Sequence, residues 1–258
     1  MRKKKSIIKY FIFSAIIVVA AVLVVKLSYA EPSHNSPLRV PEPGSLALIT
    51  TGIFGWLLRF ARKRFHEFKR FCDILIGGIG LVIATPAIVV TGFFIKLVSP
   101  GPVFFKQERV GLNGELFEIY KLRTMKIDAE KSTGPVWAME NDPRLIKCGR
   151  FIRKLHIDEF PQLFNVLKGE MSLVGPRPER PVFVKELSRQ IADYPRRLKV
   201  KPGITGLAQI WHKYDETITD VKKKVKYDLL YIREMCLMVD IRVLLQTIVV
   251  AARGKGAR

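Results

Sequence analysis

The sequence predicts an α+β, membrane-associated protein: N-terminal membrane segments, then a re-entrant helix-break-helix, then a small, mostly helical cytoplasmic domain with one β-hairpin. Three observations carry this reading. The chain of 258 residues is 48% hydrophobic, yet its formal net charge is +21. Its apolar residues gather in long blocks toward the N-terminus, and Lys and Arg flank those blocks. From Pro102 onward the pattern turns soluble, with strand-like runs followed by amphipathic helices. A chain both apolar and basic is a membrane-surface protein or a nucleic-acid binder. The block arrangement favours membrane lipid and argues for no nucleic-acid partner, because the cations suit anionic headgroups and a phosphorylated substrate. Cys72, Cys148 and Cys236 are widely spaced and odd in number, so free thiols are expected.

Residues 1–30 open with MRKKK, continue as an apolar run from Ile7 to Leu27, and end in SYA. They read as either a retained anchor or a signal peptide cut near Ala30. The run approaches the roughly 20 residues that cross a bilayer, which favours the anchor. Residues 31–64 comprise a proline-rich external linker, a second apolar segment and the basic cluster Arg59, Arg62, Lys63 and Arg64. The positive-inside rule puts residues 31–43 outside and residue 61 onward in the cytoplasm. Residues 65–258 form the main domain, which begins with the apolar stretch 71–98. Thr85 and Pro86 lie at its middle. Proline lacks the helical N–H, so a break is expected there, with the threonine hydroxyl satisfying a freed carbonyl. Lys69 and Arg70 precede this stretch, and Lys96 and Lys106 follow it. Such symmetric flanks favour a hairpin that returns to the cytoplasmic side over a kinked full span.

The runs PVFFKQERVG and ELFEIYKLRTM read as strands joined by Gly111-Leu112-Asn113-Gly114, a hairpin signal. A helix from Leu145 to Leu155 leads into RKLHIDEFPQLFNVLKGEMSLVGPRP, Arg153 to Pro178. Asp158 reads as the N-cap of a short helix with Pro161 in its first turn. Phe160, Leu163, Phe164 and Leu167 make its apolar stripe, and Gly169 ends it. The bland reading of Asp158 and Glu159 is a capping Asp beside a solvated Glu. Arg150, Arg153 and Arg177 around them point instead to phosphate chemistry. Helices are expected over Pro181–Ala192, 216–233 and 237–251. The last two suit either the membrane interface or packing on the core.

The strings SPGPVFFKQERVG, FEIYKLRTM, NDPRLIKCGRFIRKLHIDEFPQLFNVLKGEMSLVGPRPE, KPGITGLAQ and YDLLYI resemble the bacterial sugar transferase family, the monotopic polyprenyl-phosphate phosphoglycosyl transferases, over about residues 66–250. The resemblance implies transfer of a sugar-1-phosphate from a UDP-sugar to undecaprenyl phosphate at the cytoplasmic face of the bacterial inner membrane. It starts an exopolysaccharide or related glycan. It makes Asp158 the nucleophile of a covalent phosphosugar intermediate and Glu159 the ligand of a Mg²⁺ ion. Arg153 and Arg177 match functional arginines, and Lys121 and Arg123 match a basic strand end suited to substrate phosphate. Gln162 and Gln209 either bind substrate or brace loops, and Gly203 and Gly206 shape the PGITG loop. The family's membrane helix breaks at a proline, which here is Thr85-Pro86. Two departures stand out. His156 occupies a position where many relatives have a small hydroxyl residue. An N-G-R motif after Ala208-Gln209 is missing, with Lys213 nearby.

The alternative class is a catalytically inactive membrane scaffold for glycan assembly, against which the intact dyad and GPRP loop argue. A homo-oligomer is compatible with either. Separately, VPEPG, an apolar helix and a basic cluster resemble the PEP-CTERM sorting signal of exosortase systems. The stretch reads as a genuine exosortase signal, a fusion relic, or a span with a proline-rich lead-in.

Overall fold

The computed structural model describes the backbone of residues 43–131, 134, 136, 142–211 and 217–252, with side chains from residue 65 to residue 250. The chain divides into Met1–Trp56 and Leu57–Arg258. Residues 1–42, which include all of the VPEP stretch but Pro43, and Lys213 lie outside the described residues.

Helix α1, Pro43–Val98, contains the apolar stretch. Its Phe65–Val98 part is long and apolar enough to cross a membrane. Asp73, Gly77, Ala84, Thr91, Gly92 and Ile95 are buried and share one face at helical spacing. Ile76, Ile79, Val82, Ile83, Val89, Val90, Phe93 and Leu97 face outward, uncovered. The expected break is corrected: α1 runs through Pro86 without a non-helical residue. Pro86 frees the carbonyl four residues back, that of Val82. The Thr85 hydroxyl instead bonds the Leu81 carbonyl at 2.7 Å. Any return of this segment therefore comes from a bend in a continuous helix.

Both ends of the apolar stretch are tied to the same body. Lys69 pairs with Asp240 at 2.6 Å, and Asp73 accepts the Leu173 N–H at 3.0 Å. Arg70 donates to the Val166 and Leu167 carbonyls at 2.5 and 2.8 Å. At the far end, Arg123 donates to the Ser99 and Pro100 carbonyls at 2.8 and 2.7 Å.

Strands β1, Phe104–Val110, and β2, Leu116–Leu122, form the expected antiparallel hairpin, with Phe104 opposite Leu122. The turn places Asn113 and Gly114 at positive φ, 54° and 89°, as a tight GLNG connection requires. Helix α2, Gly149–Lys154, is shorter than expected, because the Leu145 segment instead bridges to Met125. Helix α3, Gln162–Lys168, ends at Gly169 with φ 93°. Strand β3, Ser172–Val174, pairs in parallel with β4, Gly203–Thr205. Between them lie α4, Pro181–Gln190, and a 3₁₀ segment, Tyr194–Lys199. Helices α5, Leu207–Trp211, α6, Ile218–Glu234, and α7, Leu237–Ala252, complete the fold.

The main core joins Ile119, Val166, Met171, Leu173, Val174, Leu207, Tyr231 and Val243. A smaller one, Ile95, Leu122, Ile146 and Ile152, seats the end of α1 against β2 and α2, with Ile157 packed on it. Helix α7 packs on the core along one face and leaves the other uncovered. Val243 and Asp240 are buried inward, while Met238, Ile241, Leu245 and Ile248 form an exposed apolar stripe.

Candidate active site

Two secondary elements bring the acids into place. Asn165 of α3 binds the edge of β2 as a strand would, accepting the Tyr120 N–H at 3.0 Å and donating to the Glu118 carbonyl at 2.6 Å. This locks α3 to the strand that carries Lys121. Between α2 and α3 the chain reverses at His156, which has φ 56°. His is among the residues that tolerate this region. The His156 N–H bonds the Arg153 carbonyl and its carbonyl accepts the Glu159 N–H. So His156 shapes the turn, and its Nδ1 is buried without a partner among the described residues.

Asp158 and Glu159 sit in a 3₁₀ turn, Ile157–Glu159. The N-cap expectation for Asp158 is corrected: Pro161 precedes α3, and no side chain caps it. Asp158 is buried at 7% exposure, released from capping and backed by Ile157 on the small core. The Glu159 carboxylate meets Lys121 Nζ at 2.7 Å, Arg177 Nη2 at 2.5 Å and Arg177 Nη1 at 3.3 Å. The two acids therefore differ electrostatically. Burial pushes the Asp158 carboxyl above its usual range, Lys121 pulls against that, and the Glu159 charge adds to it. Burial would raise Glu159 too, but Arg177 and Lys121 outweigh it and hold that carboxyl well below the usual range. Arg177 in turn is raised by the Glu159 charge. Arg153 donates Nε to the Thr124 hydroxyl at 2.9 Å and exerts its charge on Asp158. One ionised, cation-bound acid thus lies beside one dehydrated, more basic acid, an arrangement suited to nucleophilic attack on a phosphate.

The other expected residues divide. Gln162 follows the dyad by one turn, is 1% exposed, and its Nε2 has no partner among the described residues. Gln209 donates to the Ile204 carbonyl at 2.9 Å and so braces the PGITG loop. Arg123, expected at substrate phosphate, is buried, and both its terminal nitrogens bond carbonyls just past the end of α1. Gly203 and Gly206 do shape their loop. A Cβ on Gly203 would fall 2.1 Å from the Gly175 nitrogen, and one on Gly206 2.2 Å from the Gly175 oxygen.

Sequence reasoning passed over the residues behind Arg177. Arg197 donates to the Arg177 carbonyl at 2.8 Å and pairs with Asp228. Glu179 pairs with Lys224 at 2.7 Å. Asp228 and Tyr231 belong to the weak YDLLYI string. Tyr231 bonds the Val174 carbonyl and Asp240, at 3.0 and 2.8 Å, and joins α6 to β3 and α7. That spacing of Asp and Tyr on one helical face was the available signal.

Among the described residues no three metal-ligating side chains gather. The Glu159 carboxyl is held low by Arg177 and Lys121, and its Oε2 carries one long bond. It fits the single carboxylate that Mg²⁺ uses together with substrate phosphates.

Residues 64–254 match the profile "Bacterial sugar transferase", and residues 39–63 match a PEP-CTERM protein-sorting motif. The chain is 44% identical over 190 residues to a UDP-N-acetylgalactosamine-undecaprenyl-phosphate N-acetylgalactosaminephosphotransferase of Aeromonas hydrophila, covering 74% of this chain and 45% of that protein. A Bacillus subtilis protein, provisionally named an undecaprenyl-phosphate N-acetylgalactosaminyl 1-phosphate transferase, is 55% identical over 146 residues, covering 57% of this chain and 81% of that protein. A UDP-glucose:undecaprenyl-phosphate glucose-1-phosphate transferase of Escherichia coli is 40% identical over 191 residues, covering 73% of this chain and 41% of that protein. The chain thus spans under half the length of the Aeromonas and Escherichia relatives. With the profile matched over most of its length, this chain belongs to the bacterial sugar transferase family.

Proposed function

We propose that this chain transfers a sugar-1-phosphate from a UDP-sugar to undecaprenyl phosphate and so starts an exopolysaccharide or related glycan. The observation that carries the reading is the divided dyad: a buried Asp158 beside a Glu159 whose carboxylate is bound by Lys121 and Arg177. An Asp158 carboxylate oxygen attacks the sugar-bearing phosphorus, and the bond from that phosphorus to the UMP oxygen breaks. UMP leaves with the electron pair, and the sugar phosphate stays on Asp158 as an acyl phosphate. An oxygen of undecaprenyl phosphate then attacks the same phosphorus, and the Asp158–phosphorus bond breaks. The carboxylate returns and no net proton is needed, so ping-pong kinetics are expected. Arg153, Arg177 and Lys121 offset the repulsion between anionic nucleophile and anionic substrate. Mg²⁺, which Glu159 would hold, supplies further positive charge on the diphosphate.

The membrane is where this chemistry would occur. Supporting that are the outward apolar face of α1, the apolar stripe of α7, and the ties at both ends of residues 69–100 to one body. Both ends on one side is the arrangement of a re-entrant helix, with the catalytic domain on the cytoplasmic face of the inner membrane. The sorting-motif match at residues 39–63 supports recognition by an exosortase.

The test is purified full-length protein in lipid nanodiscs with undecaprenyl phosphate and Mg²⁺, offered a panel that begins with UDP-N-acetylgalactosamine and UDP-glucose. UMP release with a lipid-linked sugar product is expected from one of them. No UMP from any UDP-sugar would sink the assignment and favour the inactive scaffold.

A further inference from the structure

Four successive carbonyls of the loop that presents Arg177 each have a dedicated donor. Pro176 accepts from the Gly203 N–H at 2.9 Å and Glu179 from the Val110 N–H at 2.9 Å. Arg177 accepts from Arg197 Nη2 at 2.8 Å, and Pro178 from Arg109 Nη1 at 3.2 Å. The two arginine donors are themselves held by carboxylates. Arg197 places Nε and Nη2 on Asp228 at 2.9 and 2.8 Å and Nη1 on the Tyr194 hydroxyl at 3.1 Å. Arg109 lies 3.7 Å from the Glu179 carboxylate, which Lys224 also binds. The Arg197 and Asp228 side chains are each 2% exposed.

Stability alone does not explain such a pair. Removing both charges from water offsets most of their attraction, and apolar residues of similar volume serve a fold as well or better. An arginine fork can do what an apolar pair cannot, which is to hold a backbone carbonyl at a set place while keeping its own plane fixed. The carbonyl held here belongs to the residue whose guanidinium grips Glu159.

We propose that Arg197 and Asp228 are positioning residues for the transfer reaction. They set the loop backbone so that the Arg177 fork stays aimed at Glu159 and at the phosphate that docks beside it. The proposal rests on the sugar-phosphate transfer assigned above and extends it to residues that touch no substrate.

Two variants test it. Arg197→Met combined with Asp228→Leu removes the pair while leaving apolar replacements that let the domain fold. Arg197→Lys keeps a cation against Asp228 but loses the fork. Each is assayed for UMP release at limiting and saturating UDP-sugar, alone and in an Arg177→Lys background, with melting temperature followed in parallel. Both are expected to lower kcat, by up to about 100-fold for a displacement on the order of an ångström, with a smaller change in KM. In the Arg177→Lys background the same changes should add little, because the fork they aim is already gone. The exposed neighbour variant Arg196→Met should behave as the unaltered protein. Equal proportional losses in both backgrounds, or an undiminished kcat in the single background, would overturn the positioning role. Absence of UMP release from the unaltered protein would overturn the reaction and the brace with it.

Discussion

Arg177 joins two clusters of nearly the same composition. Through its guanidinium it meets Glu159, which Lys121 also binds. Through its carbonyl it meets Arg197 and, beyond that, Asp228. Each cluster sets basic side chains against carboxylates, so composition does not separate them. Access does. The Arg177 and Lys121 side chains are 36% and 19% exposed, whereas Arg197 and Asp228 are sealed at 2%. In the first cluster one carboxylate holds both cations, and an arriving phosphate can take them over. In the second, all three Arg197 nitrogens already have partners. A charge cluster open on one side suits exchange with a ligand, and one closed on every side suits holding a backbone.

The comparison breaks first at Asp158. Asp158→Asn should remove UMP release and lipid-linked product by on the order of a thousandfold or more, as loss of a covalent nucleophile does. The melting temperature should hold or rise, because burial disfavours the charged carboxylate that the change removes. Full activity in this variant would remove the nucleophile role. Asp228→Ala should lower stability as well as kcat. It leaves Arg197 buried without its partner, and breaking such a pair costs about 3–5 kcal/mol, read from denaturant unfolding. If Asp228→Ala spares stability, water reaches that cluster and the contrast in access fails. Arg177→Lys keeps the charge but loses the fork. It should lower kcat/KM about 10- to 100-fold, the worth of one or two hydrogen bonds to a charged group.

Local features of this fold were legible in the sequence, and long-range ones were not. The GLNG hairpin, the Gly169 helix end and the helices α4, α6 and α7 follow from turn chemistry and periodicity within a few residues. The dyad with Lys121, Arg153 and Arg177 was legible as a group of motifs. What stayed illegible depended on partners far along the chain. Asp158 looked like an N-cap because Pro161 follows it, but His156 turns the chain left-handed and starts the helix later. Arg123 looked like Lys121, two residues before it on the same strand end. Yet Lys121 reaches Glu159, while Arg123 is drawn to carbonyls at the end of α1 that no local rule reveals. Arg197 pairs with Asp228, 31 residues on, which no local pattern reveals. Pro86 promised a break that the surrounding helix absorbs.

The smallest effect sharpens the closed cluster rather than breaking it. Burial would raise the Glu179 carboxyl, but Lys224, Arg197 and Arg109 outweigh it and bring the group down to about 2 from 4.5. A carboxyl lowered on folding contributes stability that is complete above its unfolded value and is lost as pH falls through its folded value. The contribution should therefore be full above about pH 4.5 and gone near pH 2. Glu179→Gln removes the charge with little change of shape. Near neutral pH it should cost about 1–2 kcal/mol by denaturant unfolding, and the gap from the unaltered protein should close as the pH is taken from 5 toward 2. A gap that stays constant across that range would mean the Glu179 carboxylate acts through shape alone. Lys224 and Arg109 would then hold the loop by packing, and only the Arg197–Asp228 pair would remain as a brace of charge.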